Sequence, residues 1–182
     1  YNAKRHLVRQ VLIELEQMGL VERKKNIGAF VKAYSIKEVI DLYVVRDILE
    51  KSGARQIIMP VPISDIDALT AIQHQHDTAV SERSLRHAFR ANIAFHKALF
   101  ALSNNPTLTD AIEDFAQRAH IVRSLSMTTP YFLEKARRDH WLIIEALKQG
   151  DKEGLIKVCH DHLQPSLDAY IEQYRQRMGQ EP

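Results

Sequence analysis

The sequence predicts an all-α protein, a six-helix antiparallel bundle preceded by a short helix and a β-hairpin. Beyond Ala33, apolar residues recur at three- and four-residue steps almost to the C-terminus, and hardly any segment alternates as a strand does. The chain has only six glycines in 182 residues. We therefore divide it into a small unit at 1–33, a helical domain at 34–177 and a polar tail at 178–182.

The unit at 1–33 begins with an amphipathic helix and ends with a hairpin. One face of the helix is apolar and carries Val8, Val11, Leu12, Leu15 and Met18. Gly19 ends the helix, and two short strands at 20–22 and 29–31 flank a polar tip at 23–26.

Positive charge is concentrated in this unit. It holds seven basic and three acidic residues, a net charge of +4, whereas the whole chain carries +2, so the other 149 residues carry −2. The basic residues are Lys4, Arg5, Arg9, Arg23, Lys24, Lys25 and Lys32. A basic helix and hairpin suit a groove between two phosphate strands, which favours nucleic acid as a partner. The alternative is an ordinary solvated helix and hairpin.

The helical domain has its boundaries at caps, prolines and glycines. Ser35 caps a first helix that ends near Ile58, and Ser64 caps the second, after Pro60 and Pro62. The predicted helices are 35–58, 64–80, 82–102, 104–125, 129–148 and 150–177.

Composition excludes several classes of protein. The chain is 45% apolar and 26% charged, as soluble globular proteins are. No apolar run approaches the ~20 residues that cross a bilayer, and no leader-like segment opens the chain, so we expect a cytoplasmic protein without a membrane partner. Cys159 is the single cysteine, which excludes an intrachain disulfide and a cysteine-based zinc cluster; we expect it to be a small buried apolar group.

Three histidines lie in phase with the apolar residues of their own helices. His96, His140 and His162 each point inward from a different predicted helix. Asn92 precedes His96 by four residues, and such a pair is about 40° apart around the helix axis, so both side chains project from one face.

The other histidines show no such convergence. His160 is two residues from His162, about 200° around the helix, and should face outward. The rest are His6, His74, His76, His87 and His120.

Three converging imidazoles and an oxygen donor predict a divalent metal site. One cation satisfies nitrogen atoms that would otherwise be buried without a partner. The donor set suits Zn²⁺, Ni²⁺, Mn²⁺ or Fe²⁺ and leaves a position open for a ligand. The alternatives are that each histidine is a hydrogen-bonded core residue, and that Asn92 only bonds a ligand or water.

The order of residues in the N-terminal unit carries a family resemblance. Val8-Arg9, Leu12, Leu15 and Glu16, followed by the segments "GLV" at 19–21 and "GAFV" at 28–31, match in order and spacing. This pattern resembles the second half of the winged helix-turn-helix of the GntR superfamily of bacterial transcription regulators. The resemblance implies that Arg5 and Arg9 contact operator DNA and that the hairpin at 23–28 lies along the backbone or minor groove. Lys4 and His6-Leu7 depart from the usual pattern, and the helices expected upstream are missing from this sequence.

The helical domain carries a second resemblance. The segments "DLYVVRDILE" at 41–50, "NIAFHKALFALSNNP" at 92–106 and "DHWLIIEALKQGD" at 139–151 resemble the FadR-type C-terminal (FCD) effector domain. The metal-binding branch of that family implies Asn92, His96, His140 and His162 as ligands. Asn92 stands where the branch has aspartate, which predicts a weaker or differently selective site because an amide brings no charge.

Together the resemblances imply a homodimeric transcription regulator, a repressor and not an enzyme, that senses a small organic acid. A carboxylate ligand would complete the metal coordination while Arg123 or Arg46 pairs with its far end. The alternative is that both arginines are structural. One alternative is a metal-dependent hydrolase or oxygenase, although Asp139 and Asp161 should point away from the site. Another is a metal-free regulator that binds fatty-acyl or other apolar ligands.

Overall fold

The computed structural model describes residues 4–25, 27–126 and 129–178. Its elements in chain order are α1 (Arg5–Gln17), β1 (Val21–Lys24), β2 (Gly28–Val31), α2 (Ile36–Gln56), α3 (Ile63–Ser81), α4 (Leu85–Ala101), α5 (Pro106–Arg118), α6 (His120–Ser126), α7 (Pro130–Gln149) and α8 (Lys152–Met178). The predicted all-α fold is confirmed, with a single two-stranded hairpin among the described residues. None of the described helices is long and apolar enough to cross a membrane.

The N-terminal unit forms a helix and a hairpin as the sequence predicts, but Arg23 and Lys24, which were predicted in the tip, pair with Ala29 and Gly28 as part of β1. Gly19 adopts a φ of +71°, the left-handed conformation that ends α1. The strands β1 and β2 are antiparallel, with Val21 opposite Val31. Arg23 donates to Glu16 across 2.6 Å and thereby ties the hairpin to α1. Asn26, at the predicted tip, lies outside the described residues.

Two predicted helix starts differ from the structure. Ser35 caps α2 in a full capping box with Glu38, as expected. Ser64, however, lies inside α3 and is not its cap: the helix begins at Ile63, and the Pro62 carbonyl already accepts the Asp65 amide. Residues 82–84 precede α4, because Arg83 takes a φ of +55° that a helix does not allow.

The predicted helix at 104–125 is two helices. Asn105 caps α5, which ends at Arg118, and α6 begins at His120 after the buried Ala119. The described residues therefore contain seven helices after the hairpin instead of six. No glycine or proline lies at this break. The apolar pattern therefore continues across it in the sequence and predicts one helix.

The main core lies among α2, α3, α4, α7 and α8. Its largest fully buried side chains include Phe95, Leu99, Ile143, Ile144 and Leu155. The Phe95 ring stacks on His140 with a centroid distance of 4.1 Å, so the core holds one predicted metal ligand in place. A second cluster joins the N-terminal end of α2 to α6 and α8 through Tyr34, Val39, Val122 and Tyr170.

Candidate functional site

Three histidine rings from α4, α7 and α8 meet inside the bundle. His96, His140 and His162 each offer one ring nitrogen, and these atoms all lie within 4.8 Å of one another. The Nε2 atoms of His96 and His162 are 3.1 Å apart. His140 is fully buried and its Nε2 has no hydrogen-bond partner among the described residues. A divalent ion is the ligand that satisfies such a set at once.

A chain of hydrogen bonds sets the proton position on His140. Gln73 on α3 donates its amide nitrogen to Asp77 across 2.7 Å, which turns its oxygen toward His140. His140 Nδ1 lies 2.7 Å from that oxygen and must donate to it. The lone pair of His140 is therefore on Nε2, the atom that faces the other two rings.

Asp139 sets the proton position on His162 in the same way. His162 Nδ1 donates to Asp139 across 3.0 Å, and Lys135 donates to the same carboxylate across 2.8 Å. Burial alone would raise the pKa of Asp139, but these two hydrogen bonds outweigh it and lower the pKa. The prediction that Asp139 points away from the site is wrong, since Asp139 is buried, lines the small cavity and bonds His162. Asp161 pairs instead with Lys157 on α8.

Burial keeps His96 and His140 neutral. Desolvation, followed by the charge of His162, holds the pKa of His96 well below its ordinary value. Desolvation, followed by His96, does so for His140. Neutral imidazoles present the lone pairs that metal binding requires.

Asn92 lies next to the histidines, on the inner face of α4. Its side chain is buried, and it lines a small cavity of about 50 Å³ together with His96 and His162. The amide nitrogen of Asn92 has no hydrogen-bond partner among the described residues. An amide in this position can turn its oxygen to a cation or its nitrogen to an anion.

His76 is a site residue that the sequence analysis missed. It is fully buried on α3, its ring centroid lies 5.0 Å from that of His140, and neither ring nitrogen has a partner among the described residues. Burial lowers the pKa of His76 to about 4. The spacing of Leu69, Gln73, His76 and Val80 on one helical face is the signal that would have placed it inward. His160, expected to face outward, bonds Asp47 on α2 across 2.7 Å.

Arg46 and Arg123 stand beside the histidines, where the sequence analysis expected an acid to bind. Both line the small cavity and also a larger one of about 260 Å³ between α4 and α5. Arg46 is buried and donates to Glu50 across 2.7 Å. Burial, followed by the charge of Arg46, lowers the pKa of Arg123 to about 10.

A family model described as the FCD domain matches residues 41–165, most of the helical domain and all four predicted metal ligands. The chain belongs to the FCD domain family. Among curated relatives, the HTH-type transcriptional repressor RspR of Escherichia coli (strain K12) is 26% identical over 176 residues, covering 97% of this chain and 77% of that protein.

Solved structures share the fold of this FCD chain. A GntR family transcriptional regulator from Pseudomonas syringae pv. tomato str. DC3000 has a TM-score of 0.55 at 22% identity, covering 97% of this chain and 74% of that one. The metal-free FCD domain of TM0439 has a TM-score of 0.64 at 20% identity, covering 80% and 99%. The predicted resemblance to GntR-type regulators with an FCD domain is confirmed.

The basic side chains of the N-terminal unit lie on the surface of this FCD protein. Arg5 and Arg9 on α1 border one open groove with Arg23, Lys24 and Lys25 of the hairpin. Lys4, the sixth predicted DNA-binding residue, is exposed at the start of α1. Arg23 is engaged by Glu16, and Lys24 lies over the Phe30 ring, which leaves Arg5, Arg9 and Lys25 as the less engaged cations of the groove.

Replacing Gln73 by leucine should weaken divalent metal binding about 10- to 100-fold, because residues that orient metal-binding histidines typically contribute that much. His140 would lose its hydrogen-bond acceptor and the fixed position of its proton. Zinc titration against a chromophoric chelator measures the change. Gln75→Leu, at an exposed position of the same helix, is the matched control. Equal affinities of the two variants would contradict the prediction.

Proposed function

We propose that this chain is a homodimeric transcription regulator that binds operator DNA through α1 and the hairpin and responds to a small organic acid held at a metal ion in the bundle. The observation that carries the proposal is the presence, in one chain, of a basic helix-hairpin groove and a preorganised histidine cluster. The name of the E. coli relative, a transcriptional repressor, supports the same class.

The metal is the first part of the proposal. His96, His140 and His162 would hold Zn²⁺, Ni²⁺, Mn²⁺ or Fe²⁺, and Asn92 would contribute its amide oxygen or hydrogen-bond the bound anion. The unpartnered Nε2 of His140 and the anchored Nδ1 atoms support this fit. When bound, the ion supplies an electrophilic position for a carboxylate oxygen.

The charged side chains around the cavities support binding over catalysis. Each carboxylate that lines them in the described part of the chain accepts from a cation: Glu50 from Arg46, Glu113 from Lys97, and Asp139 from Lys135. A hydrolase that used one of these carboxylates as its general base would first have to separate it from its cation. Arg46 and Arg123, by contrast, give a carboxylate ligand two cations.

A physical link joins the cavity to the DNA-binding unit. Ile112, Ala116 and Gln117 of α5 line the larger cavity. At the end of α5, the Tyr34 hydroxyl lies 3.0 Å from the Gly19 carbonyl and 3.5 Å from the Arg118 carbonyl. A ligand that shifts α5 would therefore also shift the end of α1, which is the kind of coupling that allostery requires.

An exposed apolar row on α2 supports a dimer. Ile40, Val44 and Ile48 follow one another at four-residue steps and are 41–57% exposed. A second copy of the chain that covers this row would bury it in an isologous interface.

The test is the operator affinity of the zinc-loaded protein, measured by fluorescence anisotropy on the DNA upstream of its own gene, with and without organic acids. We expect an effective acid to shift the affinity by about 5- to 150-fold, the usual range of allosteric coupling. Lys24→Ala/Lys25→Ala should weaken DNA binding and flatten its salt dependence without changing metal binding. DNA binding that no acid alters would refute ligand response, and turnover of an ester or amide would favour a hydrolase.

A further inference from the structure

The larger cavity lies on the α5 side of the histidine cluster. We call it the α4–α5 cavity. It shares Arg46, His96 and Arg123 with the small cavity that holds Asn92, so the two spaces meet at these three side chains. Its volume is about 260 Å³, against 50 Å³ for the small one. A ligand whose carboxylate binds at the histidines thus has room for its remaining atoms in one direction.

Most of the exposed wall area of the α4–α5 cavity is apolar, although the polar side chains of Glu50, Gln117 and His120 also line it. Ile93 and Phe100 of α4 face Ile112 and Ala116 of α5 across it. The Thr109 hydroxyl also lines the cavity, but it bonds the carbonyls of Phe100 and Asn105 at 3.3 and 3.1 Å. The hydroxyl hydrogen of Thr109 is therefore already used in a hydrogen bond, and this wall favours a ligand with an apolar surface.

Cations at the two ends of the α4–α5 cavity have different surroundings. At the inner end, Arg46 is paired with Glu50 but its Nη1 has no hydrogen-bond partner among the described residues, and Arg123 adds a second cation beside the histidines. At the outer end, Lys97 is paired with Glu113 across 3.0 Å, and their side chains are 65% and 39% exposed. A second carboxylate at the outer end would meet a neutral pair and apolar walls, which do not compensate for its desolvation.

We infer that the α4–α5 cavity is the subsite for the body of the acid, and that the effector is a monocarboxylic acid with an apolar body of about four to eight carbons. The length follows from volume, since a cavity of about 150 Å³ holds benzene and this one is nearly twice as large. The inference rests on the proposed function, because it takes the carboxylate to bind at the metal.

The test is calorimetric binding of straight-chain acids, acetate through octanoate, to the zinc-loaded full chain. Each buried methylene is worth about 0.8 kcal/mol, so affinity should rise about threefold to fourfold per carbon, and about 100-fold from acetate to hexanoate. Succinate should bind more weakly than butanoate. In Ala116→Phe, which fills the cavity, acetate should bind as in the wild type while the dependence on chain length disappears. Ala94→Phe, on the exposed side of α4, is the matched control.

The outcomes separate this inference from the proposed function. Acetate binding with no gain for longer acids would overturn the subsite and leave the acid-sensing proposal standing. No binding of any carboxylate would overturn both. A chain-length dependence that survives in Ala116→Phe would place the body of the acid elsewhere and overturn the subsite. Thermal unfolding verifies that each variant folds; if Ala116→Phe does not, the smaller Ala116→Leu should shift the preferred length to a shorter acid, and an unchanged preference would again overturn it.

Discussion

Replacing His140 by alanine is expected to weaken divalent metal binding by roughly 100- to 1000-fold. Zinc sites in small domains bind with about 10–16 kcal/mol, so each of four ligands accounts for about 2.5–4 kcal/mol. Among the proposed ligands, His140 has the most fixed geometry, since Gln73 holds its Nδ1 and Phe95 stacks on its ring. Its loss leaves two histidines and an uncharged amide, too few donors for tight binding.

Competition with a chromophoric chelator measures this change directly. His87→Ala is the matched control, because His87 is exposed on α4 and its ring bonds only Ser84 among the described residues. Thermal unfolding in chelator tests whether the cavity left at His140 has destabilised the fold. His140→Gln, which fills more of that space, should lose the metal to a similar degree. If a folded His140 variant bound metal with wild-type affinity, His140 would not be a metal ligand.

Replacing Glu50 by alanine should lower the free energy of unfolding by about 3–5 kcal/mol, the usual cost of removing one partner of a buried ion pair. The side chains of Arg46 and Glu50 are only 5% and 4% exposed. Without Glu50, the Arg46 guanidinium would remain charged in an environment that already contains Arg123. The fold would therefore hold an uncompensated buried charge.

Urea unfolding measures this loss of stability, and two other variants serve as comparisons. Arg46→Met/Glu50→Leu should recover most of the stability, because an apolar pair of similar volume often replaces a buried ion pair without loss. Asp41→Ala breaks the exposed pair with Lys37, whose side chains are 62% and 83% exposed, and should cost at most about 1 kcal/mol. A Glu50→Ala change as small as that of Asp41→Ala would show that solvent reaches the buried pair.

Helical phase was enough to predict that His96, His140 and His162 meet. It was not enough for Asp139, which is adjacent to His140 in sequence and about 100° away around the helix. Both residues lie inside because α7 packs against α3 on one side and α8 on another. A periodic pattern identifies an inward face but not which neighbouring helix each part of that face meets.

Other features depended on tertiary contacts. Gln73 and His76 are polar residues on an apolar face, and only the packing of α3 against α7 makes them neighbours of His140. The break at Ala119 has no turn residue, yet it lets α5 and α6 contribute Ala116 and Arg123 to one cavity. Gly53 is comparable: a Cβ there would come within 2.8 Å of Phe100. The close approach of α2 to α4 and α5 thus needs a glycine whose purpose only the fold reveals.

The connection between the hairpin and the bundle is short. Residues 32–35 alone separate β2 from α2, and the Tyr170 hydroxyl of α8 donates to the Tyr34 carbonyl across 2.7 Å within this segment. In the proposed dimer, a four-residue connection anchored at Tyr34 would give each α1 helix little freedom to move away from its bundle. The distance between the two helices would then be set by the dimer itself. Operator half-sites should accordingly be accepted at one centre-to-centre spacing, and insertion of about five base pairs, half a helical turn, should abolish simultaneous binding.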